Sequence, residues 1–344
     1  MTSRQSARPY TRKTQPARAN IASPSQSAIM PDVSIIIVNW NAKGFLEGCL
    51  ESLHRDSCRA TFEVLVIDNA SEDGSAAMVA LRFPHVKIIA NGDNRGFAKA
   101  NNQGILQSEG RHILLLNPDT VVFAGALDSM VDYLDNHCDV GAVGPRTIGP
   151  RGETLESFSF FPGPRLLLRG MAIIAVGSYY RDEKLKSLAP RQVDWVGGAC
   201  LLVRREALAE VGLLDEAFFM YWEEADLCLR LRQKRWKTYY LPEPKIIHYL
   251  GRSAAQADRV LIHGILLQEW ARSAERMLKK HYPFWVRSLF RAAVLGMTAV
   301  SLLFWLGVYA ASPSRRANAR EIIRAYSLVL GIIHRPPAEG GEPR

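Results

Sequence analysis

The sequence predicts an α/β fold built on a parallel sheet and continued at its carboxyl end by membrane-associated helices. Three observations carry this expectation. Between residues 33 and 116, short runs rich in Val, Ile and Leu alternate with stretches of about ten residues at helical spacing. The polar clusters fall at the carboxyl ends of those runs, where open α/β sheets bind their ligands. Much later, Ala292 to Ser312 carries no charged residue.

Taken in order, Val33–Val38 is apolar on both faces, as a central parallel strand must be, and Asn39-Trp40-Asn41 ends it. Phe45, Leu46, Cys49, Leu50 and Leu53 then recur at helical spacing. Phe62–Ile67 is a second strand closed by Asp68-Asn69-Ala70-Ser71, and a helix follows from about Gly74 to Arg82. Val86–Ile89 and His112–Leu116 are the third and fourth strands, with a helix over Gly96–Gln107 between them. From Gly141 to Leu202 the pattern loosens into turns, with an apolar stretch at Leu166–Val176. Val193–Val203 reads as one or two strands, Arg205–Val211 and Glu223–Lys234 as helices, and Thr238–Leu241 and Lys245–His248 as two short late strands.

A helix over Ala292–Ser312 would be roughly 30 Å long, the thickness of a hydrocarbon core. Arg287 and Arg291 precede it, and Arg315, Arg316, Arg320 and Arg324 follow, so the positive-inside tendency places both flanks on one side. Ile322, Ile323, Tyr326, Leu330 and Ile333 then repeat as in an interfacial helix too short to span. A single crossing and an in-plane or re-entrant hairpin both satisfy this pattern.

Of the 344 residues, 48% are hydrophobic and 22% charged, enough apolar content for a large core. The net charge of +9 suggests nucleic acid until it is located. Arg4, Arg8, Arg12, Lys13 and Arg18 lie in the first 31 residues with no acid among them, in a segment expected to be a disordered basic tail. The rest is near charge balance and has no basic stripe interleaved with aromatics, so no nucleic-acid partner is expected. The 5 cysteines are odd in number and include no C-x-x-C pair, which argues against disulfides and structural zinc. No apolar h-region follows the amino terminus, so a secretory signal is not expected and a reducing compartment is. The expected organisation is a tail at 1–31, a folded domain at 32–285, membrane-associated helices at 286–334 and a tail at 335–344.

The strand ends exclude some chemistries. No G-x-G-x-x-G follows the first strand, and no G-x-x-x-x-G-K-[ST] loop occurs, so dinucleotide and P-loop binding lose their main support. Asp68 and Asp119 stand at neighbouring strand ends instead. One such acid can accept a hydrogen bond from a base or ribose, and the other can hold a cation against phosphates. Each alone reads equally as an ordinary turn residue.

The order of segments is more specific. Ser34–Asn41, Val66–Ser75, Asn94–Asn102 and Leu115–Thr120 are followed by Val196–Leu202 and by Leu214–Leu227, which includes Trp222-Glu223-Glu224-Ala225-Asp226. Together they closely resemble the family-2 glycosyltransferases, in particular the branch with bacterial rhamnosyl- and galactofuranosyltransferases. The resemblance covers about residues 33–252. It implies an A-type glycosyltransferase fold, a Rossmann-like mixed sheet flanked by helices, with a nucleotide-sugar half at 32–125 and an acceptor half at 126–285. Carried over by position, it implies that Asn39, Asn41, Asp68 and Asn117 bind the donor. Asn94 and Gly96 would shape the loop beside the nucleotide, Gly96 through a close backbone approach. Asp119 matches the last acid of the family's D-x-D metal motif, here Asn117-Pro118-Asp119, and His248 is implied as a further ligand to a divalent cation, Mg2+ or Mn2+. Gly198, Tyr221, Trp222, Glu223 and Asp226 are implied on the acceptor side. Glu224, where the family usually has Asp, is implied as the catalytic base.

The reaction so implied is an inverting transfer of a sugar, rhamnose among the candidates, from a dTDP- or UDP-linked donor to a glycan or polyprenyl-linked acceptor. It would take place at the cytoplasmic face of the inner membrane. Two other classes remain in view. A sugar-1-phosphate nucleotidyltransferase would favour a Gly-rich, basic phosphate loop after the first strand, which is missing. A non-catalytic, membrane-anchored glycan-binding protein would have no need of Asp68, Asp119 and Glu224 together.

Overall fold

Every residue of β1 (Val33–Asn39) is buried, and the sheet is built outward from it. A computed structural model describes residues 30–55, 58–161, 189–249 and 259–334. The basic tail up to residue 29, the apolar stretch Leu166–Val176 and the tail at 335–344 lie outside the described residues. The strand order is β3 (Lys87–Ala90), β2 (Phe62–Asp68), β1, β4 (His112–Leu116), β10 (Cys200–Arg204), β6 (Val140–Ile148), β11 (Lys237–His248) and β5 (Thr120–Val122). A further strand, β8 (Arg191–Val193), also pairs with β11. Alternation along β1 feeds two apolar layers. Ile35 and Ile37 pack on one side with Leu46 and Leu50 of α1 (Lys43–His54), and Ile36 on the other with Ile105 of α3 (Phe97–Leu106).

The sheet is mixed, as the family resemblance implies, and its first part is the parallel one that the strand–helix alternation predicts. β3, β2, β1 and β4 are parallel, but β10 runs antiparallel to both β4 and β6. β9 (Trp195–Val196), which lies outside this sheet, leads through Gly197–Ala199 into β10 at the edge where β4 ends, and Cys200 stands opposite Leu116. The region after Gly141, expected to be loose, begins with the nine-residue β6, and α4 (Ala126–Asn136) precedes it, burying Leu127, Met130, Val131 and Leu134. The two late strands are one, β11, whose register shifts between Leu241 and Lys245. Pro242 and Pro244 lie in that interval and cannot donate to a ladder.

The remaining elements are α2 (Ser75–Arg82), the two-stranded ribbon of β7 (Phe158–Ser159) with β9, α5 (Arg205–Val211) and α6 (Glu223–Gln233). The chain then enters three helices: α7 (Arg259–His281), α8 (Phe284–Ala311) and, past a 3-10 turn at Pro313–Arg315, α9 (Arg316–His334). Among the described residues, α8 is the one helix long and apolar enough to cross a membrane.

Candidate active site

The carboxyl ends of β1 and β2 form one hydrogen-bonded turn. Asn39 stands opposite Asp68 in the ladder and donates from Nδ2 to Asp68 Oδ1 at 2.9 Å and to Ser71 Oγ at 3.0 Å. The Ser71 amide donates to the other Asp68 oxygen at 3.0 Å. Asn41, in the left-handed region at φ 51°, accepts the Glu72 amide on Oδ1 and donates its own amide to Ser71 Oγ. Asn39 and Asp68 are buried, and Asn39 Oδ1 is a buried acceptor with no partner. Such an atom costs free energy until a donor reaches it.

The loop before α3 is held by amides. Asn94 Oδ1 accepts the Gly96 amide at 3.0 Å, and Asn69 donates from Nδ2 to the Gly96 carbonyl at 3.2 Å. Gly96 has φ 77°, and a Cβ there would lie 2.6 Å from the Phe219 carbonyl oxygen and 2.7 Å from its ring. The close approach expected of Gly96 is therefore made to Phe219, a residue of the other half of the domain. The sequence offers Asn69 as a strand-end turn residue and Phe219 as part of an aromatic run, but neither as a partner of Gly96. Asn69 could have been found, since it directly follows Asp68 in a strand-end cluster, but Phe219 carries no local signal of its partner.

Asn117, Asp119 and His248 are brought together by strand pairing. β5 runs antiparallel to the end of β11, setting His248 opposite Thr120. His248 Nε2 then lies 3.2 Å from Asp119 Oδ1 and 3.4 Å from Asn117 Nδ2. A carboxylate oxygen and an imidazole nitrogen converging at a strand end suit a divalent cation whose remaining positions are filled by phosphate oxygens and water. Among the described residues no cluster of three or more His, Cys, Asp or Glu is poised to hold a metal.

The acceptor-side residues converge on the same edge. The Asn117 amide donates to the Ala199 carbonyl at 3.0 Å, which places Gly198 beside the Asn117–Asp119 turn. A Cβ on Gly198 would lie 3.9 Å from Glu224 Cβ, so Glu224 packs beside Gly198. Glu223 and Glu224 open α6, and each has a buried carboxylate oxygen without a partner. Burial raises both acids, Glu223 well above the carboxylate range with the neighbouring Glu224 charge adding to it. Backbone amides, including that of Gly198, oppose the rise at Glu224.

Tyr221 and Trp222 lead into α6 with φ 68° and 71°, two consecutive side-chain-bearing residues in the left-handed region. Each costs of order 1–3 kcal/mol and persists only where the surroundings impose it. The bracing comes from α7. Ser273 Oγ donates to the Met220 carbonyl at 2.8 Å, and the Trp270 ring lies 5.7 Å from that of Trp222. Asp226, expected on the acceptor side, has both carboxylate oxygens engaged by basic groups. It is fully buried, with Arg230 Nε 2.8 Å from one oxygen and Lys280 Nζ and His281 Nε2 at 2.7 and 2.6 Å from the other. Those partners outweigh burial and hold its carboxyl well below the usual range. An i to i+2 step on a helix turns Asp226 away from Glu224, and it ties α6 to α7.

Comparison with known proteins follows this geometry. The model of the family described as Glycosyl transferase family 2 matches residues 34–212. The N-acetylglucosaminyl-diphospho-decaprenol L-rhamnosyltransferase of Mycobacterium tuberculosis is 32% identical over 248 residues, covering 66% of this chain and 79% of the relative. Rhamnosyltransferase WbbL of Escherichia coli K12 is 25% identical over 224 residues, 63% of this chain and 83% of the relative. Among solved structures, mannosyltransferase PcManGT from Pyrobaculum calidifontis, in complex with GDP-Man and Mn2+, aligns with a TM-score of 0.51 at 16% identity. That alignment covers 88% of this chain and 87% of the other, and the likeness is one of fold.

Proposed function

Starting from the fact that the chain belongs to glycosyl transferase family 2 and is a glycosyltransferase, we propose that it transfers rhamnose with inversion from a dTDP- or UDP-linked donor to a polyprenyl-linked glycan. The observation that carries this reading is that Glu224 lies against Gly198, whose neighbour Ala199 is hydrogen-bonded to Asn117 in the turn that also carries Asp119 and its partner His248, which supports a base and a diphosphate-binding pair in one neighbourhood. The similarity to two rhamnosyltransferases supports the choice of sugar, and the name of the mycobacterial relative supports the polyprenyl-linked acceptor.

In this reading Asn39, Asn41 and Asp68 receive the nucleotide, with Asn39 Oδ1 open to an N–H of the base, and Asn94, Gly96 and Asn117 bound its pocket. Asp119 and His248 would hold a divalent cation, which when bound neutralises charge on the departing diphosphate. Glu224 accepts the proton of the acceptor hydroxyl as that oxygen bonds to the anomeric carbon. The bond to the diphosphate breaks on the opposite face, so a single displacement inverts the centre. Burial suits Glu224 to this task, because a base works best when its pKa lies near the working pH. Glu223, Tyr221, Trp222 and Gly198 then shape the acceptor side. α8 keeps the enzyme at the membrane that holds the acceptor, on its cytoplasmic face.

The test is product analysis with the purified full chain, a panel of nucleotide sugars and an N-acetylglucosaminyl polyprenyl diphosphate acceptor. Rhamnosyl product from the dTDP-linked donor with Mn2+ or Mg2+ is expected. Transfer of a different sugar, or activity unaffected by chelator, would overturn the substrate or the metal assignment respectively.

A further inference from the structure

Resting on the membrane reading above, we infer that α8 lies in the plane of an anionic phospholipid surface, bound by one uncharged face, and does not cross the bilayer. Leu289, Val300, Leu303, Phe304 and Leu306 are exposed along one half of this helix, with Trp285 near its start. Thr298 on the other half is buried, and Arg291 reaches across to Glu275 of α7. The exposed half is thus apolar along most of the length of the helix and calls for cover, and the packing of its neighbours decides how the helix lies.

The packing of α8 forbids a crossing. α9 packs against both α7 and α8, so the three helices form one layer. α7 in turn is held to the catalytic domain by Ser273 on Met220, Lys280 on Asp215 and the Asp226 cluster. Driving α8 through the hydrocarbon would carry with it Arg316, Arg320 and Arg324 of α9, all exposed, against a strong desolvation cost. The same arginines choose the occupant. Arg316 Nε donates to the Tyr309 carbonyl at 3.0 Å, and the Arg320 guanidinium stands 5.9 Å from the Tyr309 ring centre, so α9 folds back beside the end of α8. Guanidiniums four residues apart next to an apolar face match lipid phosphates above acyl chains.

The experiment uses the full chain with Cys58 and Cys138 replaced by serine and a fluorophore on a single introduced cysteine. Leu289→Cys and Leu303→Cys sample the exposed face, and Ser301→Cys the protein-facing side. Vesicles of phosphatidylcholine and phosphatidylglycerol carry quenchers at defined depths. Equal, shallow quenching at 289 and 303 with none at 301 is expected. Phe304→Glu should weaken vesicle binding about tenfold or more. Arg316→Gln and Arg320→Gln should each weaken it about fivefold on anionic vesicles only. Binding with 301 quenched as deeply as 303, and depth changing steadily along the helix, would overturn the in-plane arrangement alone. Absence of vesicle binding, or a dimer in solution that Phe304→Glu dissociates, would overturn the membrane reading itself.

Discussion

Glu224 and Asp226 are two residues apart and both acidic, the first half-buried and the second fully buried, and they face opposite demands. Glu224 has an unpartnered oxygen beside Gly198, while both oxygens of Asp226 are taken by three basic groups. Glu224→Gln is expected to lower transfer by about 10²–10⁴-fold while leaving nucleotide affinity nearly unchanged, measured by turnover and by calorimetry. In the parent enzyme, the acid limb of the pH–rate profile should lie above the ordinary carboxylate range, with activity rising as pH rises through it. Asp226→Asn should cost about 3–5 kcal/mol of stability, because it leaves the largely buried Arg230 and the half-buried Lys280 without their counter-ion. The folded state holds Asp226 below its unfolded pKa, so its contribution is present above about pH 4 and fades as pH falls through the depressed value. Melting temperatures against pH should show that acid-side slope in the parent and lose much of it in Asp226→Asn. Glu223 has the opposite sign. Its raised folded pKa makes the ionised form a cost that grows with pH, so Glu223→Gln should raise the melting temperature at neutral pH.

At the level of elements, the site depends on contacts between segments distant in sequence. Gly96 of the loop before α3 meets Phe219 of the segment before α6, and the strained Tyr221–Trp222 turn is braced by α7. Gly96→Ala should therefore destabilise the domain and weaken donor binding together, since a Cβ clashes with the Phe219 backbone and the left-handed φ disfavours any side chain. Ser273→Ala removes one brace without a large cavity. We expect a lower turnover number with an almost unchanged KM for the donor; a loss of melting temperature without that kinetic split would mean that Ser273 is merely structural. Much of this was legible early. Strand-end Asn39, Asp68 and Asp119 are read from hydrophobic runs that stop at polar clusters, because that pattern is local. The direction of β10, the bracing by α7 and the true partners of Asp226 were not legible, because no nearby residue records them.

On the scale of the whole molecule, a sheet edge, a metal-suited pair and an exposed apolar helix are assembled from three parts of the chain. If α8 concentrates the enzyme on the lipid surface, the full chain should turn over a polyprenyl-linked acceptor in anionic vesicles at a lower KM than a water-soluble short-chain analogue. Salt should narrow that difference, since it screens α9 arginines but not apolar contact. By itself the sequence determined the α/β class, the first four strands, the family resemblance and the apolar character of the carboxyl-terminal helices. Each of these is written in periodicity, strand-end chemistry or composition over a few dozen residues at most, or in the order of such segments. Tertiary structure alone decided that β10 is the strand that runs antiparallel between β4 and β6, that His248 meets Asp119, that Gly96 answers to Phe219, and that Asp226 pairs with α7. These are contacts between positions far apart in the chain, set by which strand arrives beside which and by the burial that pairing imposes.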